Sequence, residues 1–221
     1  MKQRLASDLA SLYLDRDPAN LPDFDAAMRR ARLVIDIDPE NSNARRFLIR
    51  ATVHHVEERL KEGDRSFSRF YGLLNDLRRH AEWLEAKLGS LGAEERDDLR
   101  SDLASFYDTI GNVKNSEGMQ TTDQSNDVEG RIGSLLDSIN AGVPGLLGSL
   151  EENVRKHNRL LAQVRECYRE SDGAFERSLR LDPVNAHARS QMDHHARQYD
   201  TIAGLTDRNN EILRQIAQVY R

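Results

Sequence analysis

Apolar residues at Phe67, Phe70, Leu74, Leu77, Ala81, Leu84 and Leu88 advance in steps of three and four. Such a seam follows one face of an α-helix and has no counterpart in the two-residue alternation of a strand. After a turn at "GSLG" (89–92), Leu99, Leu103, Phe106, Ile110 and Val113 repeat the spacing. A third seam runs through Leu150, Val154, His157, Leu161, Val164, Tyr168, Ser171, Phe175 and Ser178. Spacing held this long belongs to long helices packed side by side, as in a coiled coil. With only five prolines in 221 residues, the expected fold class is all-α.

Shorter helices are expected around these seams. Leu5, Leu9, Leu12 and Tyr13 mark a first one, ended by "DRDPANLPD". A second runs from about Asp23 to Ile37, with Ala27, Ala31 and Val34 on one side. Asn41 or Ser42 is placed to cap a third, which reaches Leu60 before "KEGD" breaks it. The segment "KNSEGMQTTDQSND" (114–127) is poor in apolar side chains and reads as a flexible loop. A short helix around Val128–Asn140 follows, interrupted by "AGVPG" at 141–145. Beyond Pro183 the pattern predicts one helix from about Val184 to Ala203 and another from Asp207 through Val219.

One junction occurs twice. "DIDPENSNARRF" at 36–47 and "RLDPVNAHARSQ" at 180–191 share the skeleton Asp-Pro-x-Asn-x-x-Ala-Arg. Proline discourages helix in the residue before it, Asn41 and Asn185 suit the caps of the next helices, and Ala44 and Ala188 permit close helix crossing. "AAMRRARLVIDIDPENSNA" and "AFERSLRLDPVNAHA" resemble the end of one tetratricopeptide repeat and the start of its successor. Ala27, Ala31, Val34 and Pro39 match the family's small, small, apolar and proline positions. Phe175, Leu179 and Pro183 match in the second copy, where Ser171 and Ser178 replace the usual alanines. The resemblance covers 2–62 and 170–203. It implies repeat-like helical hairpins at 1–63 and 170–221, with 64–169 as a long-helix bundle insertion, all in one continuous unit.

The resemblance also implies a groove lined by the first helix of each repeat. Asn43, Arg46, Arg50 and His54 fall on one stripe of that helix, and His187, Ser190, His194 and Arg197 on its counterpart. Planar guanidinium forks suit carboxylates, so the stripe would take an acidic peptide or a C-terminus. The competing fate is a solvated face whose arginines pair with local acids such as Glu57 and Glu58.

Other chemistry finds little footing. The formal net charge of −5 lacks the basic excess expected of a nucleic-acid binder. His54–His55 and His194–His195 are adjacent pairs that point about 100° apart on a helix, and no metal or other cofactor is expected. There is no glycine-rich phosphate loop and no nucleophile elbow, and "AEERDD" (93–98) reads as a helix start rather than a catalytic cluster. The single cysteine, Cys167, forms no internal disulfide and reads as a small core residue, which favours a reducing, cytoplasmic location. Trp83 lies just off its seam and reads as a packing or contact residue. No signal peptide or transmembrane segment is expected.

"GRIGSLLDSINAGVPGLLGSL" (130–150) carries only Arg131 and Asp137 as charges. Its apolar side, Ile132, Leu135, Leu136, Ile139, Leu146, Leu147 and Leu150, either closes the bundle core or docks on a partner or a membrane surface. The expected function is a non-catalytic scaffold or adaptor that binds a protein or acidic peptide. The alternatives are an effector or regulatory subunit whose 114–150 segment rearranges, is cleaved or docks, and an enzyme without a local motif.

Overall fold

The computed structural model describes residues 24–219, so the helix expected around Leu5 to Tyr13 lies outside the described residues. Among the described residues the chain is all-α, without strands: α1 (Phe24–Ile37), α2 (Ser42–Lys61), α3 (Phe67–Lys87), α4 (Ala93–Asn140), α5 (Leu147–Leu181) and α6 (Ala186–Val219). A 3-10 turn at Leu88–Ser90 separates α3 from α4. No helix of the described residues is long and apolar enough to cross a membrane.

Two compact units emerge. Of the described residues, the first takes 24–113 together with Ala174–Ala188; the second takes Lys114–Gly173 and 189–219. These limits differ from the divisions at 63/64 and 169/170 suggested by the repeat resemblance. In the first unit α2 packs between α1 and α3. Its core joins Met28, Ala31 and Val34 of α1 to Leu48 and Val56 of α2, with the α3 seam from Phe67 to Leu84. Leu99, Leu103 and Phe106 of α4 complete it. The second unit has two apolar clusters, one around Val128, Ile132, Leu150, Val154 and Ile216, the other around Leu161, Val164, Tyr168 and Ile202.

The repeated junction is built alike both times. Asn41 Oδ1 accepts from the Ala44 amide at 2.9 Å, and Asn185 Oδ1 accepts from the Ala188 amide at 3.0 Å. Both alanines are fully buried. Asp38 Oδ1 receives the Glu40 amide and Asp182 Oδ1 receives the Val184 amide, so each Asp-Pro corner is an Asx-type turn. The first junction is tied down by buried Arg45, which donates to the Pro39 carbonyl and to His80 Nδ1, both at 2.6 Å. Its guanidinium lies over the half-buried Trp83 ring at 4.4 Å. At the second, Asn185 Nδ2 donates to Asp108 Oδ2 at 2.6 Å. Asn41→Ala and Asn185→Ala should each lower unfolding free energy by about 1 kcal/mol in denaturant titrations. An unchanged midpoint would mean the caps contribute nothing.

The expected loop at 114–127 is corrected: it lies inside α4, which runs without a break from Ala93 to Asn140. Gly111, Asn115, Gly118, Thr122 and Ser125 carry the three–four spacing onward, with small and polar residues in place of apolar ones. Three of them have partners that suit this helical placement. Asn115 Nδ2 donates to Gln191 Oε1 at 3.0 Å, Gly118 lets Tyr168 approach closely, and Thr122 Oγ1 back-bonds to the Gly118 carbonyl at 2.9 Å. The separate short helix at 128–140 is the end of the same element. The helices expected at 184–203 and 207–219 are likewise one, α6, because Ala188, His195, Ile202, Asn209 and Ile216 recur every seven residues as its buried edge. "AGVPG" does turn the chain, with positive φ at Gly142 and Gly145 (83° and 81°).

Candidate partner-binding site

The four expected residues of α2 sit on the first unit. Asn43 is exposed, His54 is half-buried, and Arg46 and Arg50 lean on the same acid. Arg46 Nε donates to Asp102 Oδ2 at 2.8 Å, and Arg50 Nε donates to Asp102 Oδ1 at 2.7 Å. The side chains of Asp102, Arg46 and Arg50 are 11%, 16% and 48% exposed, so the carboxylate is held under the two cations. Neither guanidinium makes another hydrogen bond to the described residues. One negative charge thus faces two positive ones, and the Nη edges remain for a further acceptor.

The acids expected to neutralise these arginines do something else. Glu57 accepts from Thr109 Oγ1 at 3.1 Å, and Glu58 Oε1 lies 3.4 Å from His54 Nε2. Asp102 comes from α4, far along the chain. A signal for it existed: it flanks the Leu99–Leu103–Phe106 seam, the kind of position from which coiled-coil helices pair charges across to a neighbour.

The second stripe lies on α6, across the limit between the two units. His187 belongs to the first unit, where its Nε2 is 2.9 Å from Asn112 Oδ1 and its ring meets Phe175 edge-on at 5.9 Å. Ser190, His194 and Arg197 belong to the second unit; Ser190 and Arg197 are exposed and His194 half-buried. Two other histidines stack on aromatic rings. His55 stacks on Phe24 at 4.1 Å, and His195 is fully buried against Tyr168 at 4.4 Å. Cys167 is half-buried, and burial, then Glu117, pushes its thiol up to about 11, far from a reactive thiolate. Ile132, Leu135, Leu136, Ile139, Leu147 and Leu150 of the 130–150 segment pack into the second unit's first cluster. Val143 at the turn is 48% exposed.

Burial lowers the pKa of His55, with Arg69 and Arg59 adding to it, and of His80, with Arg45 and Arg32 adding to it. It also lowers that of His157, against the Asn209 hydrogen bond. Each folded value lies below the ordinary 6.5, so the unfolded chain takes up protons first as pH falls through that value. Stability is therefore fully present above about 6.5 and lost as pH falls toward the folded values. Thermal melts should shift down between about pH 7.5 and about pH 5.5. A flat or rising melting temperature over that interval would contradict the assignment.

Compared with known protein families, with curated proteins and with solved structures, the chain matches none.

Proposed function

We propose that this chain is a non-catalytic interaction module, a helical scaffold or adaptor that takes a carboxylate-bearing segment of a partner protein along α2. The observation that supports it is the Arg46–Asp102–Arg50 arrangement, in which one half-buried acid orients two guanidiniums and leaves the cluster net positive. Orienting an arginine in advance removes part of the side-chain entropy lost on binding. Asn43 beside it adds an exposed amide, and His54 a half-buried ring. The resemblance of both Asp-Pro junctions to tetratricopeptide repeats supports the same reading, because the first helix of such a repeat lines a groove.

The test is a titration of the full chain with a synthetic Glu/Asp-rich peptide bearing a free C-terminus. Arg50→Gln is the informative variant, because Arg50 is the more exposed of the pair. Glutamates at both arginine positions would crowd carboxylates against Asp102 and mix lost binding with lost stability. A charge-assisted bond contributes about 1.5–3 kcal/mol, so Arg50→Gln should weaken binding about tenfold or more. Affinity should also fall as salt rises. Equal affinity for parent and variant would remove α2 as the site.

A further inference from the structure

The second unit contains two buried histidines on its helix seams, and their surroundings differ in kind. His195 is fully buried, with Nδ1 2.6 Å from Asp172 Oδ1 and Nε2 3.0 Å from Asn115 Oδ1. Tyr199 donates to the other oxygen of Asp172 at 2.7 Å. Both ring nitrogens of His195 therefore face oxygen acceptors. His157 is 1% exposed, and its Nδ1 accepts from Asn209 Nδ2 at 3.0 Å. Its Nε2 is buried without a hydrogen-bond partner among the described residues. Asn209, 3% exposed, also donates Nδ2 to Asn158 Oδ1 at 2.7 Å.

The charged groups acting on His157 are Glu129 of α4 and Arg208 of α6, of opposite effect. They are paired with each other at 3.1 Å, so the carboxylate is already engaged. Burial outweighs both and disfavours the charged ring.

We propose that the His157–Asn209 layer is an acid-sensitive latch, whose protonation loosens the half of the second unit built on Val128, Ile132, Leu150, Val154 and Ile216. The half around Tyr168 and His195 stays closed. A proton on His157 turns Nδ1 from acceptor to donor, so it meets the amide donor of Asn209 head-on. Rotating that amide to offer its oxygen breaks the bond to Asn158, and the Nε2–H still lacks an acceptor. A buried cation with one broken and one missing hydrogen bond favours the opened state, where water serves both nitrogens. The His195 layer has no such conflict, because Asp172 and Asn115 already present oxygens to both nitrogens. The Asn209 and His157 side chains, polar at buried seam positions, also hold the helix register at neutral pH.

Hydrogen–deuterium exchange on the full chain at about pH 7.5 and about pH 5.5, corrected for the intrinsic rate, tests the latch. Peptides covering 125–136, 150–160 and 205–216 should exchange up to about tenfold faster at the lower pH. Those covering 164–175 and 195–202 should be unchanged. His157→Gln can still accept from Asn209 but gains no charge near neutrality, so its exchange should not depend on pH. Should that variant fail to fold, imidazole nitrogen shifts of the parent decide instead: His157 of the closed form must stay neutral while exchange begins to rise below about pH 6.5, because the opened state takes up the proton first. The proposal is overturned by no rise, by an equal rise in both halves of the second unit, or by a rise that persists there in His157→Gln. A closed form in which His157 is already protonated above about pH 6.5 overturns it too.

Discussion

Gly111→Ala should destabilise the protein by about 1–3 kcal/mol, whereas Gly72→Ala should stabilise it by about 0.5–1 kcal/mol. Both glycines lie inside helices of the first unit, where alanine is the better helix former. A Cβ on Gly72 meets nothing within 4 Å. A Cβ on Gly111 would stand 2.5 Å from Phe175 Cε1 and 2.8 Å from both Cδ1 and Cζ. Phe175 is fully buried, so its ring has no room to retreat, and overpacking outweighs the helix-propensity gain. Denaturant midpoints of the two variants, read by the same helical signal, should move in opposite directions. If Gly111→Ala is also stabilising, α4 and α5 do not approach as closely as described.

The second large effect is expected at Asp102. Among the described residues Asp102→Ala removes the only hydrogen-bond acceptor of two guanidiniums, and Arg46 is mostly buried. Stranding a buried cation costs more than deleting an exposed one, so the loss should be about 2–3 kcal/mol, below the figure for a wholly buried pair. Arg50→Ala should cost less than about 1 kcal/mol, because its side chain is half exposed and solvent screens the pair. The order of the two losses is the diagnostic part. Equal, small losses would mean that Asp102 is not held beneath the arginines.

Much of the fold was legible because the seams carry it. Every residue read into the α5 seam from Leu150 to Ser178 is buried, including His157, Ser171 and Ser178, whose polarity argued against that place. The Asp-Pro corners were legible too, since proline, asparagine and alanine each have a local role that needs no distant partner. What failed was the inference from polarity to loop at 114–127. Small and polar residues stay helical there because long-range partners such as Gln191 satisfy them, and composition does not report a partner 76 residues away. The division of α6 failed for a related reason: Asp207 suits a helix start, yet the seven-residue step from Ile202 to Asn209 carries the helix past it.

The candidate site was legible by half. Arg46 and Arg50 were placed on one helical stripe by spacing alone, and the structure puts them side by side. Their shared acid escaped notice because local pairing was weighed and pairing between helices was not. The second stripe, read as a copy of the first, lies on the single helix α6 and crosses the limit between the two units after Ala188. Spacing along a helix says which residues share a face, not which body that face belongs to.

The most direct measurement on the proposed function is to locate the acidic probe peptide on the full chain by nuclear magnetic resonance, following backbone amides and arginine Nε–H signals through a titration. The account predicts that Asn43, Arg46, Arg50 and His54 shift together and saturate at one dissociation constant, with the Arg46 and Arg50 Nε–H signals moving most. Saturable shifts confined to other residues, such as those around Val143 at the α4–α5 turn, would contradict it, as would the absence of any saturable shift on α2.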